Sequence, residues 1–160
     1  MHLKHSSQRT LLAATLLLTS TAPAQSPLKT LQDHNCVLLL FAPTSGSPEF
    51  ARQQALLKNH ASDLADRDLI CIPVLSTWVE ADASLRQKNA TFTTDAEQNH
   101  LRRRYNIQAQ SFTVVLLGKD GGEKLRSSIP VTMDKLAAFI DSMPMRQQQL
   151  RQRTIPAPSK

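Results

Sequence analysis

Two cysteines, a short run of hydroxyls and a group of charged side chains are the residues in this 160-residue chain whose chemistry could be put to use. A thiol nucleophile works best at the start of a helix, where the dipole and free backbone N–H groups lower its pKa. Cys36 and Cys71 instead lie inside the apolar runs CVLLLFA and LICIPVL, where burial raises a thiol pKa. Both are read as small core hydrophobes, with an atypical thiol enzyme using either one as the alternative. A bridge between them needs α-carbons within about 7 Å, so neighbouring strands would permit one and the pairing stays open. Ser45 and Ser47 could serve a hydrolase only with a histidine and an acid brought close. His34, His60 and His100 are scattered without a motif, and no His, Cys or acid spacing fits a metal. No cofactor is expected. What survives is electrostatic: Lys119, Asp120, Lys124, Arg126, Asp141 and Arg146 form a candidate binding surface for an anion or a protein, or else an ordinary surface salt-bridge network.

These residues are positioned by a regular alternation of elements. Cys36 to Ala42 is continuously apolar, as in a central strand covered on both faces. Thr44-Ser45-Gly46-Ser47 breaks the run, and Pro48 suits the first turn of a helix. Phe50, Leu57, Ala61 and Leu64 then share one side at helical spacing, which predicts a single helix as far as Leu64. Leu69 to Leu75 is a second strand, and Pro73 within it requires a free edge or a bulge. Ser76 to Thr94 is a long loop with a turn of helix around Ala83 to Lys88, packed onto the domain by Trp78.

Asp95 opens a short helix. Arg102-Arg103-Arg104 at its end reads as a solvated C-terminus, where cations meet the negative pole of the dipole. Phe112 to Leu117 is a third strand, and the Asp-Gly turn after it makes a hairpin. Strand alternation puts Lys124 and Arg126 on one face of the returning strand and Leu125 on the other. Thr132 is the N-cap of a last helix whose Met133, Leu136, Ile140 and Met143 dock on the sheet, and Pro144 limits it. The order defines an α/β three-layer sandwich of thioredoxin-like type: a βαβ unit, a connecting helix, a β-hairpin and a closing helix.

Composition sets the compartment. His2, Lys4, His5 and Arg9 precede the apolar Leu11–Leu18, and Ala22-Pro23-Ala24 places small residues at −3 and −1. Residues 1–24 are therefore expected to be a signal peptide cleaved before Gln25, and the protein to be exported to the periplasm or secreted. Residues 25–145 form one thioredoxin-like domain, and 146–160 a basic, Gln-rich C-terminal tail. The formal charge of +6 belongs to the two ends. Between Gln25 and Met145 acids and bases balance, which argues against a nucleic-acid surface. An envelope protein or an anionic surface component is the expected partner. No stretch after the leader is apolar and long enough to span a membrane, and the oligomeric state is left open.

Three segments together, LLLFAP (38–43), GKDGGEKLR (118–126) and IDSMPMR (140–146), resemble the bacterial family called domain of unknown function 4174, the prokaryotic DUDES group. The likeness spans about Leu28 to Arg151. It implies a thioredoxin-like fold and brings no settled activity. Against the thioredoxin pattern, Ser45 and Pro48 stand where two redox cysteines belong, and Gln110 to Thr113 lacks the proline that faces them. The expectation is a non-catalytic binding or accessory module of the cell envelope. A stability-only accessory domain is the third reading.

Overall fold

The computed structural model describes residues 26–79, 82–89, 92 and 94–154; the expected signal peptide lies outside them. The elements run α1 (Leu28–Leu31), β1 (Cys36–Ala42), α2 (Pro48–Leu57), α3 (Ala61–Asp66), β2 (Leu69–Leu75), α4 (Ala83–Lys88), α5 (Asp95–Tyr105), β3 (Thr113–Leu117), β4 (Glu123–Ser127), α6 (Met133–Asp141) and α7 (Pro144–Thr154). The four strands form one sheet in the order β2-β1-β3-β4. β1 pairs parallel with β2 and antiparallel with β3, and β3 pairs antiparallel with β4.

The apolar run of β1 sits at the centre because nothing in it tolerates water: all seven of its residues are buried. Cys36, Leu38, Leu40 and Ala42 face Phe50 and Leu57 of α2 and Met133, Leu136 and Ile140 of α6. Val37, Leu39 and Phe41 face the other way, onto Leu28 and onto Leu101 and Tyr105 of α5. Each such leucine stabilises the fold by roughly 1.5–3 kcal/mol, and the result is helix, sheet, helix in three layers. β2 is an edge strand, which removes the difficulty of Pro73, since its missing donor faces no further strand. Thr132 caps α6, its hydroxyl accepting from Lys135 N at 3.3 Å. Gln53 of α2, fully buried, donates to Val131 O at 2.9 Å and accepts from Val131 N at 2.7 Å, tying α2 to the approach of α6. No helix among the described residues is long and apolar enough to cross a membrane.

Four local expectations are corrected. The helix after Pro48 does not run unbroken to Leu64: it ends at Leu57, Asn59 takes a left-handed φ of 72°, and α3 starts afresh at Ala61. Asparagine accepts that conformation at little cost. Arg102 is not solvated; it is buried on the same face of α5 as Gln98, Leu101 and Tyr105. The hairpin carries a bulge, because Leu116 pairs with Leu125 while Leu117 pairs with Glu123. Lys124 is thus the extra residue, and a bulge breaks strict alternation. Lys124 and Arg126 consequently point to different faces. Lastly, the boundary placed at 145/146 falls inside α7, and Arg146 is buried, not part of a solvated tail. Pro144 does end α6, but by occupying the first turn of the next helix.

Candidate functional site

The two ends of β1, roughly 20 Å apart at about 3.3 Å per residue, offer different chemistry. At the C-terminal end the loop before α2 is closed on itself. Ser47 Oγ accepts from Thr44 N at 3.2 Å and lies 3.4 Å from Thr44 Oγ1, and Ser47 N donates to Thr44 O at 3.2 Å. Among the described residues no histidine ring is bonded to these hydroxyls; His60 instead lies 2.8 Å from Asp63.

Behind this loop stands a residue that composition concealed. The Arg102 guanidinium donates to Ala42 O at 2.6 Å, Val74 O at 2.8 Å and Gln108 O at 2.9 Å. Its carbon lies 5.7 Å from the Phe41 ring centroid, a cation–π distance. Burial pulls its pKa below the usual arginine value. The side chain gathers the ends of β1 and β2 and the loop after α5 through carbonyls alone.

The other end collects most of the charged residues singled out above. β3 runs antiparallel to β1, so Gly118 to Asp120 return to the level of Cys36; β4 starts there, and α6 ends there. A cavity of about 250 Å³ opens between them. Lys119, Asp120, Lys124 and Arg146 line it, together with Cys36 and Arg67. Its apolar wall is the bend between α6 and α7: Ile140, Met143, Pro144 and Met145. Asp141 stands behind Arg146, accepting from its Nε at 3.0 Å and from Arg67 at 2.6 Å. Asp66 accepts from Arg146 and, at 2.6 Å, from Arg153. Lys119 reaches Asp68 at 2.7 Å and Lys124 reaches Asp120 at 2.6 Å.

Arg126 is not part of this group. It bonds Glu123 at 2.7 Å and donates to Tyr105 O at 3.0 Å, on the α5 face. The bulge at Lys124 is what separates the two cations. Arg67 was passed over in the sequence, where it stands as polar punctuation between a helix and a strand.

Both cysteines are free thiols. Cys36 pairs with Leu69 and Cys71 with Leu38, a two-residue offset. With strands about 4.8 Å apart, that sets the α-carbons about 8 Å apart, beyond the reach of an unstrained bridge. Burial pushes the Cys36 thiol up, only partly countered by Lys119, and pushes the Cys71 thiol up to about 11. Only the thiolate reacts. In a Cys36→Ser variant, Cys71 at pH 8 is expected to attack an aromatic disulfide about a hundredfold more slowly than free cysteine, whose pKa is about 8.5. The rate should climb until about pH 11; a plateau near pH 8 would contradict this environment. Among the described residues no three His, Cys, Asp or Glu side chains are grouped to hold a metal ion.

The three layers, the parallel β1–β2 pair and the antiparallel hairpin define a thioredoxin-like protein. Solved structures share that architecture. A Plasmodium vivax 2-Cys peroxiredoxin is 14% identical with a TM-score of 0.55, over 76% of this chain and 84% of that one. Peroxidoxin BcpB from Mycobacterium tuberculosis is 16% identical with a TM-score of 0.54, over 72% and 84%. The mitochondrial 2-Cys peroxiredoxin of Plasmodium falciparum is 13% identical with a TM-score of 0.52, over 82% and 86%. Identities this low speak for the fold alone. No curated protein matches the sequence. The family described as Domain of unknown function (DUF4174) matches residues 27–149, and the chain belongs to that family.

Proposed function

We propose that this protein is an exported, non-catalytic binding or accessory module of the cell envelope, working from the Cys36 end of its sheet. One observation carries the reading: the loop between β1 and α2 holds Thr44, Ser45 and Ser47, while both thiols sit within strands with raised pKa. A hydroxyl cannot cycle between oxidation states, and a protonated thiol inside a strand is a poor nucleophile. The leader-like first 24 residues support export. The charged residues around the cavity, joined by four apolar side chains, support a binding role for that end.

The test is a pair of assays on the native protein, thiol-dependent insulin reduction and peroxide consumption. Rates equal to a protein-free blank are expected. A rate above blank that Cys36→Ser or Cys71→Ser abolishes would overturn the proposal in favour of an atypical thiol oxidoreductase.

A further inference from the structure

The cavity at the Cys36 end is built for a narrower class of ligand than its charged rim suggests. Its volume, about 250 Å³, falls just below the roughly 300–1,000 Å³ of pockets for drug-sized molecules, so its occupant is small. One wall is apolar and adaptable, formed by Ile140, Met143, Pro144 and Met145; methionines mould themselves to irregular apolar shapes. The remaining lining presents four cations, Arg67, Lys119, Lys124 and Arg146, against one carboxylate, Asp120. The acids that hold Arg67, Lys119 and Arg146 are Asp63, Asp66, Asp68 and Asp141, and none of them lines the cavity. They fix the cations from behind.

Arg67 lines the cavity while its guanidinium donates to Asp63 O and Asp141, and an anionic oxygen is the acceptor that best satisfies a guanidinium. Lysine Nζ carries three donors, so Lys119 and Lys124 can each serve an acceptor beyond the carboxylate it already holds.

We propose that this cavity binds a small carboxylic acid with an apolar body, of the size of a medium-chain acyl or aryl acid. The body lies against Met143, Met145 and Ile140, and the carboxylate turns to Arg67, Lys119 and Lys124. This rests on the reading of the protein as a binding module and names the ligand class for the end of the fold that reading uses.

Octanoate is the probe, with octanol sharing its apolar body and acetate its charge. Calorimetry and amide NMR on the full domain should show saturable octanoate binding, with the largest shifts at Gly118 to Lys124 and Met143 to Arg146. Octanol should bind about tenfold more weakly, and acetate not measurably. Met145 is half exposed, so Met145→Glu should fold normally; it places an anion at the mouth and should abolish octanoate binding. Lys124→Gln, on the exposed hairpin, should weaken binding several-fold.

Equal affinity for octanoate and octanol, full binding by Met145→Glu, shifts centred elsewhere, or no binding at all would each overturn the ligand assignment. Such a failure alongside blank redox rates leaves the binding-module reading standing. Thiol-dependent turnover sinks that reading whatever octanoate does.

Discussion

Replacing Arg102 by methionine is expected to destabilise the domain by about 3 kcal/mol or more, though its hydrogen bonds among the described residues go to carbonyls and to no carboxylate. Methionine keeps the apolar stem and much of the volume, but removes three charge-assisted hydrogen bonds, to the carbonyls of Ala42, Val74 and Gln108, of which Ala42 O and Gln108 O keep only the backbone N–H groups of Ser76 and Ser111. A hydrogen bond to a charged group contributes about 1.5–3 kcal/mol, and the cation–π contact with Phe41 goes as well. Arg102→Lys should recover only part of the loss, because one ammonium cannot reach three carbonyls that a planar fork reaches at once. Arg103→Met is the control. It alters the same basic run at an exposed position, where substitutions usually stay within about 0.5 kcal/mol. Urea denaturation of the three variants checks this directly; equal midpoints for Arg102→Met and Arg103→Met would show that the clamp contributes nothing.

That contrast between neighbours marks how far the sequence could be read. The three-layer order was legible because β1 is apolar without interruption, Pro73 excludes a central position for β2, and Thr132 is a good cap. Each is a local property with one dominant physical cause. The burial of Arg102 is not local. Gln98, Leu101, Arg102 and Tyr105 recur at helical spacing and could have drawn attention, but nothing in RRR says which arginine will find carbonyls to satisfy it.

The site shows the same limit. Lys119, Asp120, Lys124, Asp141 and Arg146 were singled out because they lie near the hairpin and the end of the last helix, and the structure does bring them to one end of the sheet. Arg126 was grouped with them because it too flanks the hairpin, but the inserted residue at Lys124 puts the two cations on opposite faces. Bulges shift every side chain beyond them, and residue types alone leave this one undetermined. The boundary at residue 145 failed for a related reason: a basic, Gln-rich stretch looks solvated until the acids that hold it, Asp66 and Asp141, arrive from distant parts of the chain.

Those two acids make α7 a charge-fastened helix, and its attachment should depend on Arg146 and on pH. Arg146 is the one buried side chain among the described residues of α7. It bonds the Asp66 carboxylate, the Asp66 carbonyl at 2.8 Å and Asp141 at 3.0 Å. Arg146→Met removes the buried cation that Asp66 and Asp141 share and leaves them to Arg153 and Arg67. Asp66 and Asp141 retain side-chain exposures of 43% and 30%, so the cost should fall below the 3–5 kcal/mol of a fully buried broken pair; about 2 kcal/mol is expected.

Hydrogen bonds from Arg153 and Arg146 hold the Asp66 carboxyl below its ordinary value of 3.8. A carboxyl whose pKa is lowered on folding stabilises the folded state fully above its unfolded pKa, and that contribution disappears as pH falls through the folded one. Stability should therefore be flat in this respect above about pH 5 and decline below pH 4 as α7 loses its anchor. Asp66→Asn should be weaker at pH 7 and should lack this part of the acid decline. Urea midpoints for wild type, Arg146→Met and Asp66→Asn between pH 7 and pH 3 separate the two effects. If Asp66→Asn matches wild type at pH 7 and declines as steeply in acid, then α7 is held by its apolar contacts and the network around Arg146 is incidental.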